Sequence, residues 1–203
     1  MDLMTDALKR YPRKLPNGMT LRPMEASDET ALVEFFRRIP VDERKLFKDD
    51  VTTAKVIQGW IRNLNYENIL PVLAFEGRRI VGDVTLHRDR RGWSRHVAKL
   101  RITLDPEFRR RGLARMLIRE FMDLAPALGV AILHAEVLDV QKNARALFEI
   151  LGFSLVATLP QHAIDFAGRV HDVLVYAVTV TPPERLAPEA ALAEGDADVG
   201  GGA

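Results

Sequence analysis

The stretch LDPEFRRRGLARMLIREF, Leu104–Phe121, decides how this chain is read. It sets three consecutive arginines, Arg109, Arg110 and Arg111, directly before Gly112, and an apolar helix begins on that glycine. Leu113, Leu117, Phe121, Leu124 and Leu128 recur at helical spacing, while Arg115, Arg119 and Asp123 fall off that stripe. One side of the helix is therefore expected to pack on a sheet, with Gly129 ending it as a C′ residue. A helix that starts right after a strand turns its free N–H groups and the positive end of its dipole toward the strand's end, a place suited to anions. Gly112 lets a phosphate approach the backbone, Ala114 is nearly as small, and guanidinium groups can grip phosphate directly. The Walker pattern G-x-x-x-x-G-K-[ST] and the dinucleotide pattern G-x-G-x-x-G both fail on a loop with one glycine and no lysine. For the arginine run taken alone, the alternative is a solvated basic helix start.

The elements before this stretch switch from helical to strand periodicity. Residues 1–18 are polar and proline-punctuated and read as a loose N-terminal arm, with a turn at Asn17-Gly18 before a short strand from Met19 to Pro23. ASDETALVEFFRRI offers Ser27 as a cap and Ala31, Leu32, Phe35 and Phe36 at helical spacing, and a second helix is expected from Ala54 to Leu64. ILPVLAFE, RRIVGDVTLHR and SRHVAKLRITL then read as three strands of an antiparallel meander. Gly82, inside the second, marks a bulge or close packing.

Downstream of the stretch come a strand, VAILHAEVL, a helix, QKNARALFEILGF, and two more strands from about Ser154 to Ile164 and His171 to Val180. A strand-helix-strand unit between antiparallel pieces makes an α/β fold with a mixed, mostly antiparallel sheet and helices on both faces. Residues 19–180 are expected to form the domain. Residues 181–203, rich in Ala, Glu, Gly and Pro, have too little apolar content to offset the entropy of ordering and are expected to be disordered.

Composition narrows the function. The 203 residues carry 29 basic and 28 acidic side chains, a net charge of +1, so no overall field argues for nucleic acid or membrane as the main partner. The absence of cysteine excludes disulfides, thiolate metal sites and a cysteine nucleophile, and no metal site is expected. No apolar run approaches the ~20 residues that span a bilayer, and the start has no leader pattern, so a cytoplasmic location is expected.

Arg109-Arg110-Arg111-Gly112-Leu113-Ala114 matches [QR]-x-x-G-x-[GA] and resembles the acetyl-CoA loop of the GNAT superfamily of N-acetyltransferases. ARALFEILGF resembles that superfamily's second signature, N-x-x-A-x-x-L-Y-x-x-x-G-F, with Gln141, Ala144, Leu147, Phe148, Gly152 and Phe153 at the corresponding positions. The resemblance covers Met19 to Val180, and it implies acetyl-CoA as the acetyl donor. Backbone amides from Arg110 to Ala114, with Leu113 between them, would hold the pyrophosphate, and the side chains of Arg109, Arg110 and Arg111 would lie nearby. Ile102, Thr103 and Leu104 would pair with the pantetheine arm like a further strand. This strand and the one starting near Val130 would splay apart around the acyl group, and the helix from Gln141 to Leu151 would cover the other side.

Acetylation of an amine needs its neutral form, and a lysine-like amine has a pKa near ~10.4, so a base is required at neutral pH. Alternation puts His134 and Glu136 on one face near the carboxyl end of their strand, and Glu136 is the leading candidate base. It also corresponds to the acidic residue that the resemblance assigns that role in protein N-terminal acetylating members. Asp83 in the apolar run IVGDVTL is the second candidate, and His134 a weaker one. Two departures stand out. Phe148 occupies the place of the tyrosine to which the resemblance assigns protonation of the departing thiolate, and phenylalanine has no proton to give. Gln141 stands where asparagine is common, with Asn143 close by as an alternative amide.

The acceptor side is expected from the first helices, their loop and the last strand pair, which mix both charges with Phe35, Phe36, Phe47, Trp60 and Tyr66. An amine of a protein or of a small molecule is the expected acceptor, and a homodimer is compatible with the sequence. Two other readings are a regulatory module that binds acetyl-CoA without efficient chemistry, and a nucleic-acid binder built on the basic segment HRDRRGWSRH, whose simpler reading is a solvated hairpin.

Overall fold

The period-two runs predicted between Ile69 and Leu104 form the centre of one mixed sheet. The structure, a computed structural model, describes residues 3–51 and 53–186. Among them are eight strands, β1 (Arg13–Lys14), β2 (Thr20–Pro23), β3 (Ile69–Glu76), β4 (Arg79–Arg88), β5 (Val97–Leu104), β6 (Ile132–Leu138), β7 (Ser154–Ile164) and β8 (Val170–Thr179). Their order is β1-β2-β3-β4-β5-β6-β8-β7. Neighbours are antiparallel except β5 and β6, which are parallel and joined through helix α5 (Leu113–Leu124). The helices before α5 are α1 (Leu3–Leu8), α2 (Glu29–Arg38), α3 (Val41–Arg44) and α4 (Ala54–Arg62), and α6 (Lys142–Ile150) joins β6 to β7.

Alternating side chains of the central strands supply two apolar layers. On one side Leu70 and Val72 of β3, Leu86 of β4 and Leu100 of β5 pack with Leu117 and Phe121 of α5. Full burial of such a side chain contributes roughly 1.5–3 kcal/mol. On the other side Leu73 and Ile80 meet Phe35 and Phe36 of α2 and Ile57 of α4. Gly82 sits where the β3–β4 register shifts, and a Cβ there would lie 3.0 Å from both Leu104 Cδ2 and Leu117 Cδ1, so the glycine permits close approach of β5 and α5.

Four local expectations change. The segment expected as a loose arm is partly packed: Met4, Ala7 and Leu15 are buried, and β1 pairs with β2. Its anchor is the buried Glu120 of α5, which accepts from the Tyr11 hydroxyl at 3.2 Å and pairs with Arg10 at 3.1 Å and Arg13 at 2.5 Å. Ser27 does not cap α2; Asp28 accepts from the Glu25 N–H at 2.8 Å and takes two hydrogen bonds from Arg22, so the chain enters the helix through a short 3-10 turn. The α5 stripe does not continue as one helix to Leu128. Pro126 has no N–H to donate, and residues Ala125–Leu128 form a 3-10 turn closed by Gly129 at φ 72°. Within the tail, Pro183–Arg185 form one 3-10 turn, and the rest of the expected disordered tail, 187–203, lies outside the described residues.

Candidate active site

The loop before α5 is built from its buried end outward. Asp105 is 1% exposed, and its carboxylate accepts from Arg38 at 2.6 Å, Arg79 at 2.8 Å and the Glu107 N–H at 3.1 Å. Burial alone would raise its pKa, but the hydrogen bonds from Arg38 and Arg79 outweigh that and hold it below the ordinary aspartate range. Phe108 is buried, with Arg79 and Arg111 each 5.4 Å from its ring. Arg110 at φ 59° and Gly112 at φ 80° turn the backbone into α5, whose first bond runs from Met116 N–H to Gly112 O. The N–H groups ahead of that bond have no helical acceptor. A Cβ on Gly112 would meet nothing within 4 Å, so the glycine opens onto free space at the positive end of the helix. A helix start of this kind suits an anion.

The three arginines separate. Arg110 and Arg111 are exposed beside the glycine. Arg109 is held away: its guanidinium donates two hydrogen bonds of 2.7 Å to the Glu43 carboxylate in α3 and one of 3.2 Å to Leu104 O. It braces the loop against α3.

Beyond the loop, the parallel strands part. β5 and β6 pair only at Val97↔Ile132, Ala98↔Leu133 and Lys99↔His134, while β5 stays bonded to β4 through Leu104 and β6 to β8 through Leu138. The edge of β5 from Leu100 to Leu104, which holds Ile102, Thr103 and Leu104, therefore faces a gap. A cleft of about 1200 Å³ occupies this gap and continues under the segment Lys45–Val51, with Ile102 and Thr103 on one wall, Val137 on the other, and Ala144 and Phe148 of α6 closing it. An open strand edge, a gap and a bare helix start in sequence suit an acyl-CoA thioester with its extended arm.

α6 contributes less chemistry than its signature implies. Gln141 lines the cleft, but its Oε1 accepts from Leu138 N–H at 2.9 Å, so the side chain closes the β6–α6 turn. Asn143 is exposed and Ala114 half-buried, and neither is among the cleft-lining residues. Phe148 is packed edge-on against Phe153 with centroids 5.0 Å apart and stacked on Tyr176 at 6.5 Å. The Tyr176 hydroxyl points to Glu149 at 2.9 Å, away from a role in place of the missing tyrosine.

The floor of the cleft includes the polar face of β4, β5 and β6. Glu136 contacts the ammonium groups of both Lys48 and Lys99. Burial would raise its pKa, yet the two lysine hydrogen bonds prevail and hold it below the usual glutamate range. Asp83, half-buried, accepts only from Thr85 Oγ1 at 2.9 Å among its described hydrogen bonds, and burial pushes its carboxyl up to about 6. His87 is pushed down to about 4 by burial and by Arg101, Lys99 and Lys48, so it is neutral at physiological pH. His134 is also lowered, first by burial and then by Lys99, and is not among the cleft-lining residues. Two groups were missed in the sequence: Asp105, whose anchoring role no local pattern announces, and Lys48, which lies 88 positions from Glu136.

Among the described residues the sheet is mixed, with one parallel pair that is parted at one end beside a glycine-started helix, the arrangement of the acyltransferase class of α/β folds. The family model described as the acetyltransferase (GNAT) family matches residues 31–153, and the chain belongs to that family. The ribosomal protein bS18 alanine N-acetyltransferase of Salmonella typhimurium is 36% identical over 80 residues, 39% of this chain and 53% of that protein, so the match spans about half the length of this curated relative. The fold is shared with the ribosomal-protein-S18-alanine N-acetyltransferase of Escherichia coli, at 23% identity and TM-score 0.64 over 81% of this chain and 95% of that one. It is shared too with yncA of Salmonella typhimurium, a structure holding acetyl-CoA, at 20% identity and TM-score 0.66 over 84% and 97%. No helix of the described residues is long and apolar enough to cross a membrane.

Proposed function

We propose that the protein transfers the acetyl group of acetyl-CoA to a primary amine by direct attack of the amine on the thioester, with residues 19–180 as the transferase domain. The observation that carries this reading is the parting of β5 and β6 after Lys99 and His134, which opens a cleft between the free edge of β5 at Ile102 and Thr103 and a polar floor, with the glycine-started helix following β5 in the chain. The backbone from Arg110 to Ala114 would hold the pyrophosphate, helped by Arg110 and Arg111, and the edge at Ile102–Leu104 would take the pantetheine amides. Acetyl-CoA supplies an activated acyl group when bound.

The chain's own part is to neutralise and place the amine. Asp83 is better suited than Glu136 to accept its proton. A carboxyl poised at about 6 is ionised at neutral pH yet retains proton affinity, while Glu136 is depressed by two lysines. Glu136 would organise Lys48 and Lys99 at the gap. With Phe148 in the tyrosine's place the thiolate would leave without a side-chain acid, which a thiol pKa near ~8.5 makes only mildly unfavourable.

The absent tyrosine and the neutralised Glu136 favour a second reading, a module that binds acetyl-CoA without turnover. Measured thiol release from acetyl-CoA with a panel of primary amines decides between the two. Turnover that falls at least tenfold in Asp83→Asn, with acetyl-CoA affinity retained, supports transfer; binding without turnover of any amine supports the module.

A further inference from the structure

We propose that Arg101 is an anion subsite in the acceptor half of the cleft, and that the amine acceptor carries a carboxylate beside its amine. This deepens the acetyl-transfer reading and rests on it. Arg101 lies on the cleft face of β5, opposite Thr85, and Asp83 lies opposite Thr103. The two are thus diagonal neighbours on one face, with backbones roughly 7–8 Å apart. Long side chains at that separation can hold the two ends of an amino-acid-sized molecule, the amine toward Asp83 and the carboxylate toward Arg101.

The other cations of the floor are already committed. Lys48 and Lys99 both contact Glu136, so each ammonium already has a carboxylate partner, although the cluster of three keeps one net positive charge. Arg101 is under-used. Its Nε is buried and has no hydrogen-bond partner among the described residues, and its ion pair with Asp49 is 3.6 Å long, beyond hydrogen-bond reach. A guanidinium has five donors in a planar fork that matches a carboxylate, and the Arg101 side chain as a whole is 40% exposed, so an incoming carboxylate can reach its terminal N–H groups.

Asp49 marks the position. It sits on the segment that crosses the cleft, is 45% exposed, and presents a carboxylate to Arg101 from within the chain. An acceptor carboxylate can displace it, because the loose pair is open to solvent and gains little from its own contact. His87, neutral beside Arg101, adds no competing charge.

The test compares acids with their amides. Initial rates of thiol release from acetyl-CoA are measured with the protein L-amino acids and with the corresponding amino-acid amides, using the full chain. The expected result is an acid whose kcat/KM exceeds that of its amide by more than tenfold. Arg101→Gln should reduce that ratio to within threefold by raising KM for the acid, with calorimetric acetyl-CoA affinity unchanged; because Arg101 also helps to keep Asp83 ionised, any change in the base affects acid and amide alike and drops out of the ratio. Asp49→Asn, which removes the internal competitor, should lower KM for the acid. Amides and an alanine-first peptide amide consumed as fast as the acids, or a ratio untouched by Arg101→Gln, would overturn the subsite while leaving acetyl transfer in place. Acetyl-CoA bound with no amine consumed would overturn both.

Discussion

Arg109 and Glu43 are joined by two parallel hydrogen bonds of 2.7 Å, tying the loop that starts α5 to helix α3, just before the cleft-lining segment that begins at Lys45. The pair is partly exposed, with side chains 35% and 42% accessible, so solvent screening limits its stabilisation to no more than ~1 kcal/mol. Its consequence is positional. Arg109→Ala is expected to leave acetyl-CoA affinity within about threefold, whereas the double change of Arg110 and Arg111 to Ala weakens it by tenfold or more, each charge-assisted contact being worth ~1.5–3 kcal/mol. Calorimetric titration reads both. A loss of affinity in Arg109→Ala equal to that of the double variant would return Arg109 to the phosphate site.

Gly112 has φ 80° and open space where a Cβ would stand. Gly112→Glu puts strain of ~1–3 kcal/mol and a negative charge at the helix start. Acetyl-CoA should then give no thermal stabilisation, while the parent gains about 2.7 kcal/mol at 100 times its dissociation constant. A preserved ligand shift would sink the assignment of this loop.

Asp83 links pH to rate and to stability. Its pKa is raised to about 6 in the fold, above the ordinary aspartate range, so the folded state holds that proton more tightly than the unfolded chain. The resulting stability is fully present below about pH 4 and is lost as pH rises through about 6. Asp83→Asn is expected to raise Tm at pH 8 relative to the parent and to flatten this dependence between those limits. Turnover should rise with pH through about 6 in the parent, and fall about 100-fold in Asp83→Asn. A parent pH profile flat from 5 to 7, roughly the window spanning that pKa, would remove Asp83 from the role of base.

Glu136 should behave differently. Its carboxyl is held below the ordinary range, so its contribution is present at neutral pH and lost only as pH falls through the depressed value. Glu136→Gln leaves Lys48 and Lys99 to repel each other, at ~1 kcal/mol after solvent screening. Turnover is expected to fall less than in Asp83→Asn. Steady-state rates of the two variants at one pH make the comparison, and the reverse ranking would restore Glu136 as the base.

The buried Glu120 holds the first segment of the chain. Glu120→Ala removes the partner of Tyr11, Arg10 and Arg13, and because the arginines can return to water the expected loss is ~1–3 kcal/mol. Limited proteolysis should then cut between residues 8 and 15 before anywhere else. Unchanged protection there would show that Met4, Ala7 and Leu15 alone keep the segment in place.

Much of this molecule follows from local pattern. The meander from Ile69 to Leu104, the helix after Gly112 and the strand-helix-strand order are legible because period-two and period-3.6 apolar spacing are properties of neighbouring residues. Gly112 itself is legible because its residue type and its place after a strand together require an unusual backbone. Arg109 was read with its neighbours as a phosphate ligand because charge and adjacency make the three arginines alike, and nothing local distinguishes them. The packed first segment was read as loose because Met4, Ala7 and Leu15 do not form a periodic stripe, and the residue that anchors it is more than 100 positions away.

Sequence alone determined the α/β order, the place of the glycine-started helix and the phenylalanine at position 148. Tertiary structure alone decided which ionisable groups meet: Arg109 with Glu43, Lys48 and Lys99 with Glu136, Arg101 with Asp49, and Asp83 left to burial. The reason is physical. Backbone periodicity is set by steric and hydrogen-bonding rules acting over a few residues, whereas the proton affinity and availability of a charged group depend on desolvation and on partners that only the folded chain brings within a few ångströms.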